Sequence, residues 1–299
     1  MDTRDNCPPQ DVQRRNLSRR TFLKTTAATA AAACAVGSGC DGQLKLGKTK
    51  KIPLGVQLYS VRTECQKDLP ATIKAVADIG YQGVEFAGYY DYSAKDLRKL
   101  LDDNGLKCCG THAQLDTLLG DNLPGTIEFN KTIGNKYLIV PWLDPEKYSS
   151  ADGWKKAADM FNEMAEKVKP HKMQVGYHNH MHEFKPVDGQ VPWDIFFGNT
   201  RKDVIMQFDT GNAMHGGGNA IPYLKRYPGR AVSVHLKEYS ATNKDAILGE
   251  GDIPWEELLT LCETIGGTKW YIIEEEKDVY PPLKAVELCY KNFRKLRPA

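Results

Sequence analysis

The sequence predicts a single α/β domain, a closed (β/α)8 TIM barrel, and three observations carry that reading. From Ile52 onward, short apolar runs and helix-length amphipathic segments alternate eight times without a break in composition. The first run leads into Gln57-Leu58-Tyr59-Ser60, where a doubly wound open sheet would carry a Gly-rich phosphate turn. Finally, His178, Asp209, His235 and Glu274 each stand where an apolar run ends. Side chains at the carboxyl ends of parallel barrel strands converge on one mouth, so residues distant in sequence become neighbours there.

Taken in order, the expected strands are Pro53–Leu58, Tyr81–Phe86, Leu106–Thr111, Tyr137–Pro141, Met173–Tyr177, Val204–Phe208, Ala231–Val234 and Trp270–Ile273. Each is a short, mainly apolar run, as a strand buried on both faces requires. The helices expected between them are Leu69–Ile79, Ala94–Asn104, Gly125–Ile133, Gly153–Val168, Trp193–Gly198, Ala220–Arg226 and Trp255–Ile265, with Pro282–Leu296 closing the ring. Ile79-Gly80 and Asn104-Gly105 end helices at residues that tolerate left-handed dihedrals, and Ser93 is placed as an N-cap. Two connections are longer than minimal, Asn179–Pro192 and Lys237–Pro254, and both belong on the catalytic face.

Ahead of the barrel, Ser18-Arg19-Arg20-Thr21-Phe22-Leu23-Lys24 and the Ala/Thr-rich stretch to Ala35 have the layout of an export signal and resemble a twin-arginine signal. The stretch is too short and too weakly apolar for a stable membrane span. Gly37-Ser38-Gly39-Cys40 resembles the end of a lipoprotein signal, with Cys40 as the lipidated, membrane-attaching residue. The expected layout is therefore a signal over 1–39, a Lys/Gly-rich tether over 40–50 and the barrel over 51–299, exported to the periplasm or anchored as a lipoprotein. The twin-arginine route moves folded proteins, and a metal loaded in the cytoplasm is one reason to use it.

Composition excludes other classes. The full chain has 40 basic and 38 acidic residues, and residues 40–299 carry 34 and 35, a formal charge of −1. That near-neutrality leaves no electrostatic footprint for nucleic acid. Beyond Cys40, the five cysteines at irregular spacing form no disulfide framework, and Cys108-Cys109 read as small buried hydrophobes.

Two imidazoles and two carboxylates at one mouth suit one divalent cation, with His178, Asp209, His235 and Glu274 as ligands and Mn, Mg, Zn or Co as candidates. His180 and His182 follow His178 and line the rim, and His180 and Glu183 are candidate proton-transfer groups there, as is Glu274. Strand alternation puts Lys237 on the face of His235, where an ammonium serves an enolate-like oxygen, and puts Glu276 beside Glu274 as a rim or substrate-contacting carboxylate. Trp142, with Tyr59, Phe86 and Trp193, offers an apolar wall for a sugar, although core filling explains each aromatic equally well.

These residues carry a resemblance. Gly55-Val56-Gln57-Leu58-Tyr59-Ser60, Gly83-Val84-Glu85-Phe86, Tyr177-His178-Asn179-His180, Asp209-Thr210-Gly211-Asn212, His235-Leu236-Lys237-Glu238, Gly249-Glu250-Gly251-Asp252 and Ile273-Glu274-Glu275-Glu276, in that order, resemble the sugar phosphate isomerase/epimerase family with the xylose-isomerase-like barrel. The resemblance runs from about Ile52 to the C-terminus and implies the same four ligands, with Glu85, His112 and Asn212 at pocket positions. One departure matters: ketose epimerases of this kind hold a Glu on strand five, and His178 replaces it, which sets the chain apart from a symmetrical two-Glu proton shuttle.

The expected function is a divalent-metal-dependent isomerase or epimerase acting on an unphosphorylated sugar or keto-sugar through an enediolate. The alternative is a lyase or dehydratase on a keto-sugar, keto-inositol or 3-keto-glycoside. A third reading, of another class, is a carbohydrate-binding lipoprotein without turnover. The expected partner is a small carbohydrate, with oligomerisation left open.

Overall fold

The computed structural model describes residues 51–298; the export signal and the whole tether, Cys40 included, lie outside them. Eight parallel strands close into a barrel in strict chain order. They are β1 (Leu54–Gln57), β2 (Gly83–Phe86), β3 (Lys107–His112), β4 (Tyr137–Val140), β5 (Gln174–His178), β6 (Ile205–Asp209), β7 (Ser233–Leu236) and β8 (Trp270–Ile273). β8 returns to pair with β1, Gly55 opposite Ile272.

The major outer helices are α2 (Leu69–Ile79), α3 (Ala94–Asp103), α4 (Leu123–Ile133), α5 (Ala151–Val168), α6 (Pro192–Asn199), α8 (Ala220–Arg226), α9 (Trp255–Leu261) and α10 (Pro282–Leu296). Three of these match the expected bounds, because their sequences carry clear punctuation: Asp68 caps α2 through Ala71 N, Gly80 ends it at φ 113°, and Asn219 caps α8 through Ile221 N. The expected helix to Ile265 instead leaves α geometry at Leu261 and finishes as a π turn over Cys262–Gly266.

Two short helices were not foreseen. α1 (Arg62–Lys67) and α7 (Thr210–His215) are six residues each, too short for a periodic signal. β1 ends one residue earlier than expected because Gln57 Oε1 accepts from Tyr59 N and winds Leu58–Val61 into a 3-10 turn. The interior strands also run further toward the mouth than their apolar runs do: β5, β6 and β7 take in His178, Asp209 and His235. Those polar residues keep their ladder pairing, Asp209 opposite His235, and point inward as parts of the strand rather than of loops. Close approach of β5 and β6 rests on Gly176, where a Cβ would lie 2.6 Å from the Ile205 Cβ.

Candidate metal centre and active site

Four consecutive strands deliver the four expected ligands. His178 and Asp209 end β5 and β6, His235 is the third residue of β7, and Glu274 follows β8 directly. One nitrogen or carboxylate oxygen from each lies within 4.8 Å of the others, and all four residues are buried.

A buried amide decides which ring nitrogens are available. Carboxylates only accept, so Gln207 must turn its Nε2 to Glu85 Oε1 (2.7 Å) and to Ser233 Oγ (2.9 Å). Its Oε1 therefore accepts from His178 Nδ1 (3.1 Å) and His112 Nε2 (2.9 Å). His178 consequently carries its proton on Nδ1 and keeps the Nε2 lone pair for a ligand. His235 is clamped, Nε2 to Glu85 Oε2 at 2.6 Å and Nδ1 to Glu274 Oε2 at 2.5 Å. Burial opposes a charge on this ring, but the two carboxylates outweigh it and raise the pKa to about 10, so to hold an ion the ring would give up its Nδ1 proton while Nε2 stays with Glu85. At His178 burial prevails, and the pKa falls well below the usual value, with His235 and His112 adding to the fall and Glu274 opposing it.

Asp209 provides the test of whether these residues fit a metal ion. Its Oδ1 accepts from Asn212 N at 2.7 Å, which caps α7. Its Oδ2 is buried, 3.9 Å from His235 Nδ1, with no hydrogen-bond partner among the described residues. Burial raises the Asp209 pKa to about 7, Lys237 pulling it down and Glu274 pushing it up. A buried acceptor left unmade costs about 1–3 kcal/mol, more when it is charged. A cation held by His178, Asp209, His235 and Glu274 would satisfy that oxygen, and the mix of imidazole and carboxylate suits a divalent transition ion. The donor set fits.

Lys237 lies 3.5 Å from Glu274 Oε1 and bonds Glu276 Oε1. Burial alone would lower its pKa, yet Glu274, Asp209 and Glu276 raise it, so the ammonium stays charged. Glu274 is in turn held well below the usual carboxylate range by Lys237 and His235, against its burial. Glu276 is half-buried above these groups. His180 sits beside His178, ring centroids 5.3 Å apart, and its Nδ1 has no partner among the described residues.

Other expected residues take different places. Glu85, expected in the substrate pocket, is fully buried, and its oxygens accept from Gln57 Nε2 (2.8 Å), Gln207 Nε2 and His235 Nε2. His112 and His235 hold its pKa well below the usual range despite burial. Glu85 therefore orients His235, one of the four expected ligands, from behind. Asn212 reaches only Asn179 O (3.3 Å), and His112 is half-buried between Glu85 and the mouth. Trp142 is exposed, its ring edge-on to His182 at 6.3 Å.

Glu183, expected as a rim base, is fully buried because the 3-10 turn His182–Phe184 folds its carboxylate inward. It accepts from Tyr177 OH (2.5 Å) and from His180 N (2.9 Å), bracing the histidine loop. Burial, against those donors, raises its pKa to about 7 from the usual 4.5. The folded protein then keeps a proton that the unfolded chain has released, so stability falls as pH rises from about 4.5 to 7. Glu183→Gln should flatten that part of the stability-against-pH curve by about 3 kcal/mol at most. Urea unfolding at pH 5 and pH 8 reads it, and an unchanged slope would refute the assignment.

Gln207, Asn179 and Ser233 carry structure here that sequence reasoning passed over. Asn179 Oδ1 accepts from Asp209 N (2.8 Å) and its Nδ2 donates to Asp209 O (3.0 Å), tying two strand ends together. The available signal was a Gln inside the apolar run Val204–Phe208, since an unpaired polar residue is costly there.

Comparison with known proteins agrees with this architecture. The inosose dehydratase of Serratia proteamaculans (strain 568) is 24% identical over 247 residues, 69% of this chain and 82% of that one. That of Clostridium beijerinckii is 22% identical over 274 residues, 77% and 91%. A sugar phosphate isomerase/epimerase structure from Parabacteroides distasonis ATCC 8503 superposes with a TM-score of 0.71 at 24% identity, covering 82% of this chain and 98% of that one. Residues 16–35 match the twin-arginine translocation pathway signal sequence, which supports export by that route. Residues 73–289 match the xylose isomerase-like TIM barrel model, and the chain belongs to that family.

Proposed function

We propose that this protein is a divalent-metal-dependent lyase that takes a proton from the carbon beside the carbonyl of an unphosphorylated keto-sugar, keto-inositol or 3-keto-glycoside, then expels the β-substituent. The observation that carries the reading is the unequal distribution of carboxylates around the mouth. Asp209, Glu274 and Glu276 come from β6 and β8, while the β3 and β5 side presents His112, His178 and His180. Epimerisation by a symmetrical shuttle needs matched bases on two faces of one carbon, whereas elimination needs one base and one acid. Inosose dehydratases among the relatives support the same choice.

His178, Asp209, His235 and Glu274 would hold the ion, which when bound would supply Lewis acidity to polarise the substrate carbonyl. Glu276, held by Lys237 at the mouth, takes the proton from carbon. The Lys237 ammonium offsets charge developing on the enediolate oxygen. His180, on the loop after β5 and neutral because burial lowers its pKa to about 4, donates a hydrogen bond to the departing oxygen, which takes up the proton that Glu276 removed. Lys277, near Glu276, is engaged with Ala246 O (2.7 Å) and Glu275 (3.8 Å), and Arg62 beside it donates to Tyr59 O (2.8 Å), which favours a substrate without phosphate.

Incubation with keto-inositol and methyl 3-keto-glucoside in deuterated water tests the reading. An unsaturated product or released methanol, lost on chelation, is the expected result. Solvent deuterium in a retained, rearranged sugar would replace it with the isomerase reading. Sugar binding with neither exchange nor turnover would replace both with the binding-protein reading.

A further inference from the structure

Beside the metal centre lies a second cavity, of about 330 Å³, that the reaction above does not use. It opens between the loops after β2 and β3 and the start of α4, lined by Tyr89, His112, Thr117, Gly125, Thr126 and Phe129. Its size is that of a site for a small organic group. The Tyr89 and Phe129 rings pack with centroids 4.1 Å apart, inclined by 31°. The Tyr89 hydroxyl is taken by buried Asn130 (3.0 Å from Nδ2), and Thr126 Oγ1 by Thr117 O (2.6 Å). Those partners leave the lining mostly apolar and aromatic, a surface that accepts a flat ring better than a hydroxylated one.

His112 joins this cavity to the reaction site. It lines the cavity, its Nε2 meets Gln207 Oε1 and Glu85, and its ring stacks over His235 with centroids 5.3 Å apart. A group extending from a substrate at the metal centre past His112 enters it.

We infer that this cavity is a subsite for an aromatic aglycone, so that the substrate is an aryl 3-keto-glycoside and the group expelled is the one the cavity holds. The inference rests on the lyase reading for its chemistry. In that step the C2–H bond breaks, a C1–C2 double bond forms, the C1–O bond breaks, and the departing oxygen takes a proton. Binding of the ring itself is independent of the chemistry.

Gly125 gives a clean probe. It is the third residue of α4, and a Cβ added there meets nothing within 4 Å, so Gly125→Leu brings bulk to the cavity rim without clashing with the barrel. Phe129→Ala removes one wall instead. The measurement compares 4-nitrophenyl 3-keto-glucoside with methyl 3-keto-glucoside on the metal-loaded full-length protein, beside calorimetric binding of the unreactive 4-nitrophenyl glucoside.

Wild-type protein should favour the nitrophenyl substrate, and each variant should raise its KM about tenfold or more while the methyl substrate is unchanged. Binding of the unreactive glucoside should weaken in parallel. If neither keto-glucoside turns over but that binding occurs and is lost in Gly125→Leu, the subsite stands and the lyase reading fails. Equal KM values for the two substrates, unchanged nitrophenyl KM in both variants, or equal losses on both substrates would overturn the subsite.

Discussion

Asp209→Asn should abolish high-affinity divalent-ion binding, and turnover with it, in a barrel that remains folded. The substitution keeps Oδ1, so the cap on Asn212 N survives, and it replaces the partnerless Oδ2 with an amide nitrogen that donates and cannot coordinate. Losing a partner behind a ligand costs about 10–100-fold in metal affinity, so losing a ligand should cost more than about 100-fold. Activity should fall by about a thousandfold or more, since several kcal/mol of charge stabilisation go with the ion. Elemental analysis of the purified variant, with circular dichroism to verify the fold, decides it. Undiminished metal would mean that another set of side chains holds the ion.

The second large effect is expected at Glu85, which touches no solvent. Glu85→Gln should lower ion affinity about 10–100-fold, because it removes the charge behind His235 Nε2 and points an NH2 at one of several donors. Glu85→Ala should be worse for folding: Gln57, Gln207 and His235 would all lose an acceptor in the barrel interior. Breaking a buried charged network by removing one partner costs about 3–5 kcal/mol. Urea unfolding measures the second variant and metal titration the first. A Glu85→Gln protein with wild-type affinity would show that His235 needs no such support.

Sequence reading reached the barrel and the convergence of His178, Asp209, His235 and Glu274 because both follow from local pattern. Apolar runs end at the residues that turn inward, and Gly80, Asp68 and Asn219 punctuate helices within a few residues of themselves. Asp209 shows a limit of that method. As a residue after an apolar run it reads as either an N-cap or a ligand, and the structure has its two oxygens in different circumstances, Oδ1 capping and Oδ2 buried without a partner.

What stayed hidden depends on contacts across the chain. The burial of Glu183 follows from a turn of three residues that carries no periodic signal. The place of Glu85 depends on His235, 150 residues later, and the orientation of Gln207 depends on Glu85, 122 residues earlier. No window along the sequence contains those pairs.

Because the strands close in chain order, the four expected ligands occupy one continuous half of the wall, β5 to β8, while the aromatic cavity is built from segments that follow β2 and β3. On the lyase and subsite readings proposed above, selectivity and reactivity are encoded in separate stretches of the gene, joined through His112 and Glu85. A descendant of this protein can vary the cavity walls within one short stretch of the coding sequence, provided Glu85 and His112 are kept, and inherit the four-residue cluster from the second half. Libraries restricted to residues 88–129 with His112 held fixed explore that freedom while leaving His178, Asp209, His235 and Glu274 in place.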